Sequence, residues 1–105
     1  MGRGPWKSRM EIPWQRERVI IILCLVAHGF RKLQEIADML WLQSRSAMLE
    51  CWIRPMIEAG LLSKDGRGAG TLAMTEQGKA MLGGYAIVWK KGRPKQAMEV
   101  GEFYG

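Results

Sequence analysis

The pattern of apolar and polar positions changes period several times along the chain, and each change marks an element. Val19 to Ala27 is apolar at all nine positions. Pro13 ahead of this run has the backbone angle favoured in a first helical turn, Glu17 suits the positive pole of a helix dipole, and Gly29 is a left-handed stop. The pattern therefore predicts a helix that opens at Pro13 and closes before Gly29. Its nine-residue apolar run is far short of the roughly twenty that cross a bilayer. Because its apolar stretch has no polar face, it must be buried on more than one side. Either it is the central helix of the core, or its outer face meets a second copy of the chain.

Leu33, Ile36, Ala37 and Leu40 follow the i, i+3, i+4, i+7 rule and predict a second, short helix over Lys32–Leu40. After the tight connection 41–44, Ser44 or Ser46 can cap a third helix with apolar positions at Leu49, Trp52, Ile53 and Met56, closed by Ala59-Gly60. Pro55 lies inside it, where a lost hydrogen bond and a steric clash cost about 3 kcal/mol unless packing compensates, so its last turn should bend or loosen. Leu61–Lys64 and Thr71–Met74 form two short strands around the glycine-rich tip 65–70. Thr75 then caps a helix over Glu76–Leu82, ended by Gly83-Gly84. Tyr85–Trp89 is short and β-prone, and a polar tail is expected from Lys90 onward.

With 105 residues, 48% of them hydrophobic and 25% charged, the chain suits one small domain and neither a multidomain enzyme nor a disordered segment. The expected division is a basic flexible arm over 1–11, a folded domain over 12–84, and an apolar segment with a basic Gly/Pro-containing tail over 85–105. Two cysteines, Cys24 and Cys51, make no disulfide framework, and no secretory signal pattern opens the sequence. A reducing, cytoplasmic setting is expected.

The net charge of +6 becomes informative once it is placed along the chain. Residues 1–18 contribute +3, 19–62 are neutral, 63–82 add +1 and 83–105 add +2. Basic ends around a neutral apolar centre point to a polyanionic partner, because Lys and Arg gain by releasing counterions from phosphates. Solubility alone is the plainer explanation of such ends.

The order of helix, short helix, tight turn, third helix, hairpin with a glycine-rich tip and helix is that of a winged helix-turn-helix domain. Over residues 30–82 the chain resembles the MarR-like and related winged-helix transcription regulators. Leu33 to Leu40 is similar to the first helix of the helix-turn-helix. Trp52-Ile-Arg-Pro-Met-Ile-Glu-Ala-Gly-Leu-Leu62 is similar to the end of a recognition helix running into the wing. Asp65-Gly-Arg67 and Leu72-Ala-Met-Thr-Glu-Gln-Gly-Lys79 are similar to the family's wing, with its Asp-x-Arg and closing Leu-Thr-x-x-Gly. The fold class expected is thus α+β, mainly α with a small β-hairpin. The resemblance implies a DNA-binding transcriptional regulator and not an enzyme, with double-stranded DNA as partner and palindromic recognition by a homodimer.

On that resemblance Arg67 is the wing-tip arginine, Asp65 its orienting partner and Lys64 a phosphate contact. Gln43, Ser44, Arg45 and Ser46 surround the start of the recognition helix, where hydroxyls, amides and backbone N–H groups hold phosphates. Met48, Glu50, Cys51 and Arg54 occupy its outward face. Here the chain departs from the family, which favours small polar and basic groups against the bases. Lys90-Lys-Gly-Arg-Pro-Lys95 resembles an AT-hook core, so Lys90, Lys91, Arg93 and Lys95 are expected along an A·T minor groove and its phosphates. Arg3-Gly-Pro5 with Lys7 and Arg9 is a possible second arm, and Trp6 and Trp14 are placed to stack on a base or cover a partner.

Rival chemistries have thinner support. His28, the single histidine, has no nucleophile and carboxylate arranged around it in sequence and reads as a helix-end side chain near the favourable pole. Cys24 and His28 stand four apart, a spacing that a metal can use if Cys51 approaches, but Cys24 sits within the apolar run. No cofactor or metal is implied and no effector can be named. The main alternative is a winged helix used for protein interaction, through the first helix and the apolar segment 85–89.

Overall fold

The computed structural model describes residues 13–40, 49–64 and 71–100. Among them it is a small α+β domain of four α-helices, one π-helical turn and two antiparallel hairpins. Helix α1 spans Pro13–Ala27 and α2 Leu33–Met39. The π turn Leu49–Ile53 runs into α3, Arg54–Glu58. Strands β1 (Leu62–Lys64) and β2 (Leu72–Met74) form the first hairpin, α4 covers Glu76–Leu82, and β3 (Tyr85–Lys90) pairs with β4 (Arg93–Glu99). No helix of the described residues is long and apolar enough to cross a membrane.

Helix α1 is the centre of the core. Every residue from Val19 to Val26 is buried, five of them with no exposed surface. Leu33 and Ile36 of α2, Trp52, Ile53 and Met56, Leu61 and Leu62, and Leu72 join it in one cluster. Each fully buried aliphatic side chain here contributes about 1.5–3 kcal/mol. The remaining side of α1 is covered by the second hairpin, whose Tyr85, Ile87 and Ala97 pack on the same cluster. Tyr85 and Ile87 alternate along β3, and Ile87 faces Ala97 across the ladder, so one face of the hairpin turns inward.

The segment expected as a polar tail from Lys90 is therefore the turn and second strand of a hairpin. Its cause is local as well as tertiary. Lys91 and Gly92 take positive φ angles of 56° and 77°, the two-residue turn whose twist suits a hairpin. Lys95 is the extra residue where the register shifts between Val88/Gln96 and Trp89/Pro94. The first turns of α1 then hold β4: the Ala97 N–H donates to Glu17 at 3.0 Å, and Arg16 lies 3.6 Å from Glu99. Glu17, expected to complement the helix dipole, also satisfies a strand-edge donor.

The third helix differs from the uniform helix expected. Pro55 has no N–H for the Cys51 carbonyl, and in an α register its ring would crowd that oxygen. A wider π turn stands immediately before α3, and Pro55 falls in the first turn of α3, where proline is tolerated. Helices α1 and α3 end alike, in Schellman motifs. Phe30 N–H bonds Leu25 O and Gly29 N–H bonds Val26 O, while Leu61 N–H bonds Met56 O and Gly60 N–H bonds Ile57 O.

The first hairpin forms at the expected place, in the register Leu62↔Met74, Ser63↔Ala73, Lys64↔Leu72. Beyond β2 the chain before α2 adds a bridge, Lys32↔Thr71, with Leu72 N–H donating to Arg31 O. Thr75 caps α4 as expected, its Oγ1 accepting from Gly78 N–H at 3.0 Å and donating to Gly60 O. Gly78 is the most closely packed of the described glycines: a Cβ there would lie 2.3 Å from the Leu61 carbonyl and 2.9 Å from Met74 Cγ.

Two outcomes check this architecture. Gly78→Ala is expected to lower stability by about 1–3 kcal/mol, read from a shift in the urea midpoint at unchanged slope, because backbone and not a movable side-chain end blocks the new methyl. Removing residues 85–105 is expected to abolish cooperative unfolding and raise binding of an apolar dye, since α1 would lose cover on one side; a truncated chain that melts as cooperatively as the full one contradicts it.

Candidate nucleic-acid interface

The candidate interface is centred on α2 and the elements at its two ends. At its N-terminal side, Lys32 bridges to Thr71 beside β2, so the first hairpin is tied to the start of the helix. The Lys32 N–H also meets Glu35 Oε1 at 3.4 Å, one arm of a capping box. At its C-terminal end, Arg93 Nη1 donates to Asp38 O at 2.8 Å and Met39 O at 3.3 Å. These carbonyls lie in the last turn of α2, the negative pole of the helix, where a guanidinium is electrostatically favoured. α2 has seven residues, about 10 Å of axis. The two hairpins thus meet one short helix at opposite ends.

The expected contact residues fall into three groups. Gln43, Ser44, Arg45, Ser46 and Met48 in the connection after α2, and Asp65 and Arg67 in the first hairpin tip, lie outside the described residues. So do Arg3, Trp6, Lys7 and Arg9. Glu50 belongs by its backbone to the π turn. Cys51 and Arg54 are exposed, while their neighbours Trp52 and Ile53 are buried, so the helical face expected to point outward does so at both. Lys64 is exposed at the end of β1.

Lys90, Lys91 and Lys95 are exposed around the second hairpin's tip. Arg93 is half-buried and committed to the end of α2. The AT-hook expectation needs Gly92-Arg93-Pro94 as an extended strand lying in a groove. In the fold Gly92 is in the turn, and Arg93 and Pro94 are paired with Lys90 and Trp89. Sequence reading missed the strut made by Arg93, although Lys91-Gly92 after a β-prone run was a usable hairpin signal.

Near the same end of α2 a groove of about 250 Å³ is lined by Glu17, Arg18, Ile21, Met39, Leu40, Pro94 and Lys95. The Arg18 guanidinium also lies 5.2 Å from the Trp52 ring centroid, a cation–π contact that links α1 to the π turn. A second groove, of about 400 Å³, runs between the ends of α1 and α4 past Arg31, Met74 and Lys79. Both are open and neither gathers catalytic groups.

The metal and nucleophile readings gain nothing from the geometry. Among the described residues no three His, Cys, Asp or Glu side chains gather as a metal site. His28 Nδ1 lies 3.0 Å from the Cys24 carbonyl and 3.6 Å from the Cys24 Sγ, so its polar contacts are to its own helix. Its ring packs on Trp89, with centroids 4.9 Å apart and the planes tilted by 55°. Burial pushes the Cys24 thiol up from its ordinary pKa. No protein-family model, curated protein or solved structure matches the chain.

The two cysteines should separate cleanly under a thiol-specific alkylating reagent. Cys51 is exposed and is expected to react at the rate of a free thiol, whereas Cys24, 3% exposed, should react only as fast as the domain opens. Equal rates in native buffer, read by mass spectrometry, would contradict the central position of α1.

Proposed function

We propose that the protein binds duplex DNA as a winged helix-turn-helix domain and acts as a transcriptional regulator. The observation that carries this reading is the joining of the first hairpin to both partners of a helix-turn-helix. β1 follows directly from the Gly60 stop of α3, and β2 bridges to Lys32 at the start of α2. In this reading the helix through the π turn and α3 enters the major groove, and the hairpin tip with Arg67 reaches the adjacent groove or backbone. Lys64 and Arg54 supply phosphate contacts, with Gln43, Ser44, Arg45 and Ser46 at the helix start. Met48, Glu50 and Cys51 offer little for base readout, so the affinity is mainly electrostatic.

The protein-interaction reading loses its chief support, because the apolar faces that suggested it are used within the chain. α1 is enclosed, and Tyr85 and Ile87 pack on the core. Among the described residues the only large hydrophobic side chains left exposed are Trp89 and Val100. For the same reason a homodimer would use neither α1 nor the inner face of β3. β3 pairs with β4 alone among the described strands, which leaves its other edge, beside Trp89, for a second copy.

A salt titration tests the proposal. The full chain should bind mixed-sequence duplex at low salt, with log K falling linearly in log salt. Arg67→Ala and Arg45→Ala should each weaken binding and flatten the slope by about 1. No binding at low salt, or binding indifferent to both substitutions, overturns the reading. Sedimentation at micromolar concentration addresses the dimer: a dimer supports palindromic recognition, and a monomer removes it.

A further inference from the structure

We infer that the tip of the second hairpin is a second phosphate-binding element, in which Lys90, Lys91 and Lys95 contact the backbone of the same duplex while Arg93 serves as a strut. This rests on the duplex-binding reading above and assigns to that site a contact of a different kind from a minor-groove hook. The three lysines are exposed, and none has a carboxylate partner among the described residues. Their places in the hairpin follow from particular backbone features. Lys90 is the last residue of β3 and Lys91 the first of the two-residue turn, and Lys95 sits at the register shift in β4.

A charged hairpin tip on its own would be a solvated loop. Here it is fixed in place, since Arg93 reaches across from the first residue of β4 to the Asp38 and Met39 carbonyls. The strut sets the tip beside the point where the chain leaves α2 for residues 41–48. Lys95 and Arg18 line the groove at this same end, with Met39 and Leu40. The first hairpin, with Lys64, is tied to the opposite end of α2. Cations are therefore presented near both ends of α2, on two separate hairpins. A rigid tip loses little conformational entropy on binding, which a free tail would lose in full.

The partner fitted by this arrangement is a polyphosphate backbone, recognised by charge and not by base edges. Arg93 is a positioning residue, because its guanidinium is turned to the protein's own carbonyls.

The test uses the full chain with Lys90, Lys91 and Lys95 all changed to alanine, titrated with salt on a mixed-sequence duplex and on an A·T-rich one. The expected result is a slope reduced by about 2–3 and an equal loss of affinity on both duplexes, with an unchanged thermal melt because the three side chains support no packing. Arg93→Lys, which keeps the charge but loses the planar fork, should weaken binding on both duplexes while altering the slope by less than the triple variant. Wild type that binds, with the triple variant keeping the wild-type slope, overturns the second element and leaves the winged-helix reading standing. A loss confined to the A·T-rich duplex also overturns it, in favour of minor-groove insertion. Wild type that fails to bind either duplex at low salt ends both.

Discussion

A helix with no polar face has to be enclosed, and the rest of this domain is arranged to enclose α1. Nothing between Val19 and Val26 offers a side toward water. Helix α2, the helical segment through Trp52 and Met56, and the first hairpin take part of the circumference, and the β3–β4 hairpin closes the remainder. This accounts for the chain's continuing past α4. Without the second hairpin, the large apolar area left on α1 would be a site for aggregation or for a partner.

Enclosure from two sides also sets where the charged ends of the structure fall. Each hairpin packs on the core and is tied to a terminus of α2. Lys32 and Thr71 join at one end and Arg93 and Asp38 at the other. A seven-residue helix cannot move far between two such attachments, so the distance between the hairpins is controlled by packing and not by linker length. In the proposed reading this spacing matters more than the chemistry of the helix between them. A nearly neutral recognition helix has little to say to base edges, whereas cations held at fixed positions on either side can select a duplex by the geometry of its phosphates.

Glycine and proline impose the local limits within which this packing works. Gly29 and Gly60 end helices with φ of 101° and 84°, in the region where a side chain is strained. Gly78 does something different, allowing α4 to approach the Leu61 carbonyl more closely than any Cβ permits. At Pro55 the helix changes form: it is wider for one turn before the proline and continues after it.

Much of this was legible in the residues. The starts and stops of α1 and α4, the short α2 and the β1–β2 hairpin follow from Pro13, Gly29, Leu33–Leu40, the glycine-rich tip and Thr75, because capping and periodicity are local properties that a few neighbouring residues decide. The unbroken run of Val19 to Ala27 even stated the need for cover on every side. It did not state what would provide it, and an intramolecular hairpin and a second copy of the chain satisfied it equally. That choice was made by contacts between residues some eighty apart, such as Glu17 with Ala97, and by Arg93 reaching the carbonyls that end α2. Backbone carbonyls carry no trace in the sequence of which side chain will reach them. A basic Gly-Arg-Pro segment therefore reads as a free hook until the fold shows its arginine already bound, with the neighbouring lysines left to face outward.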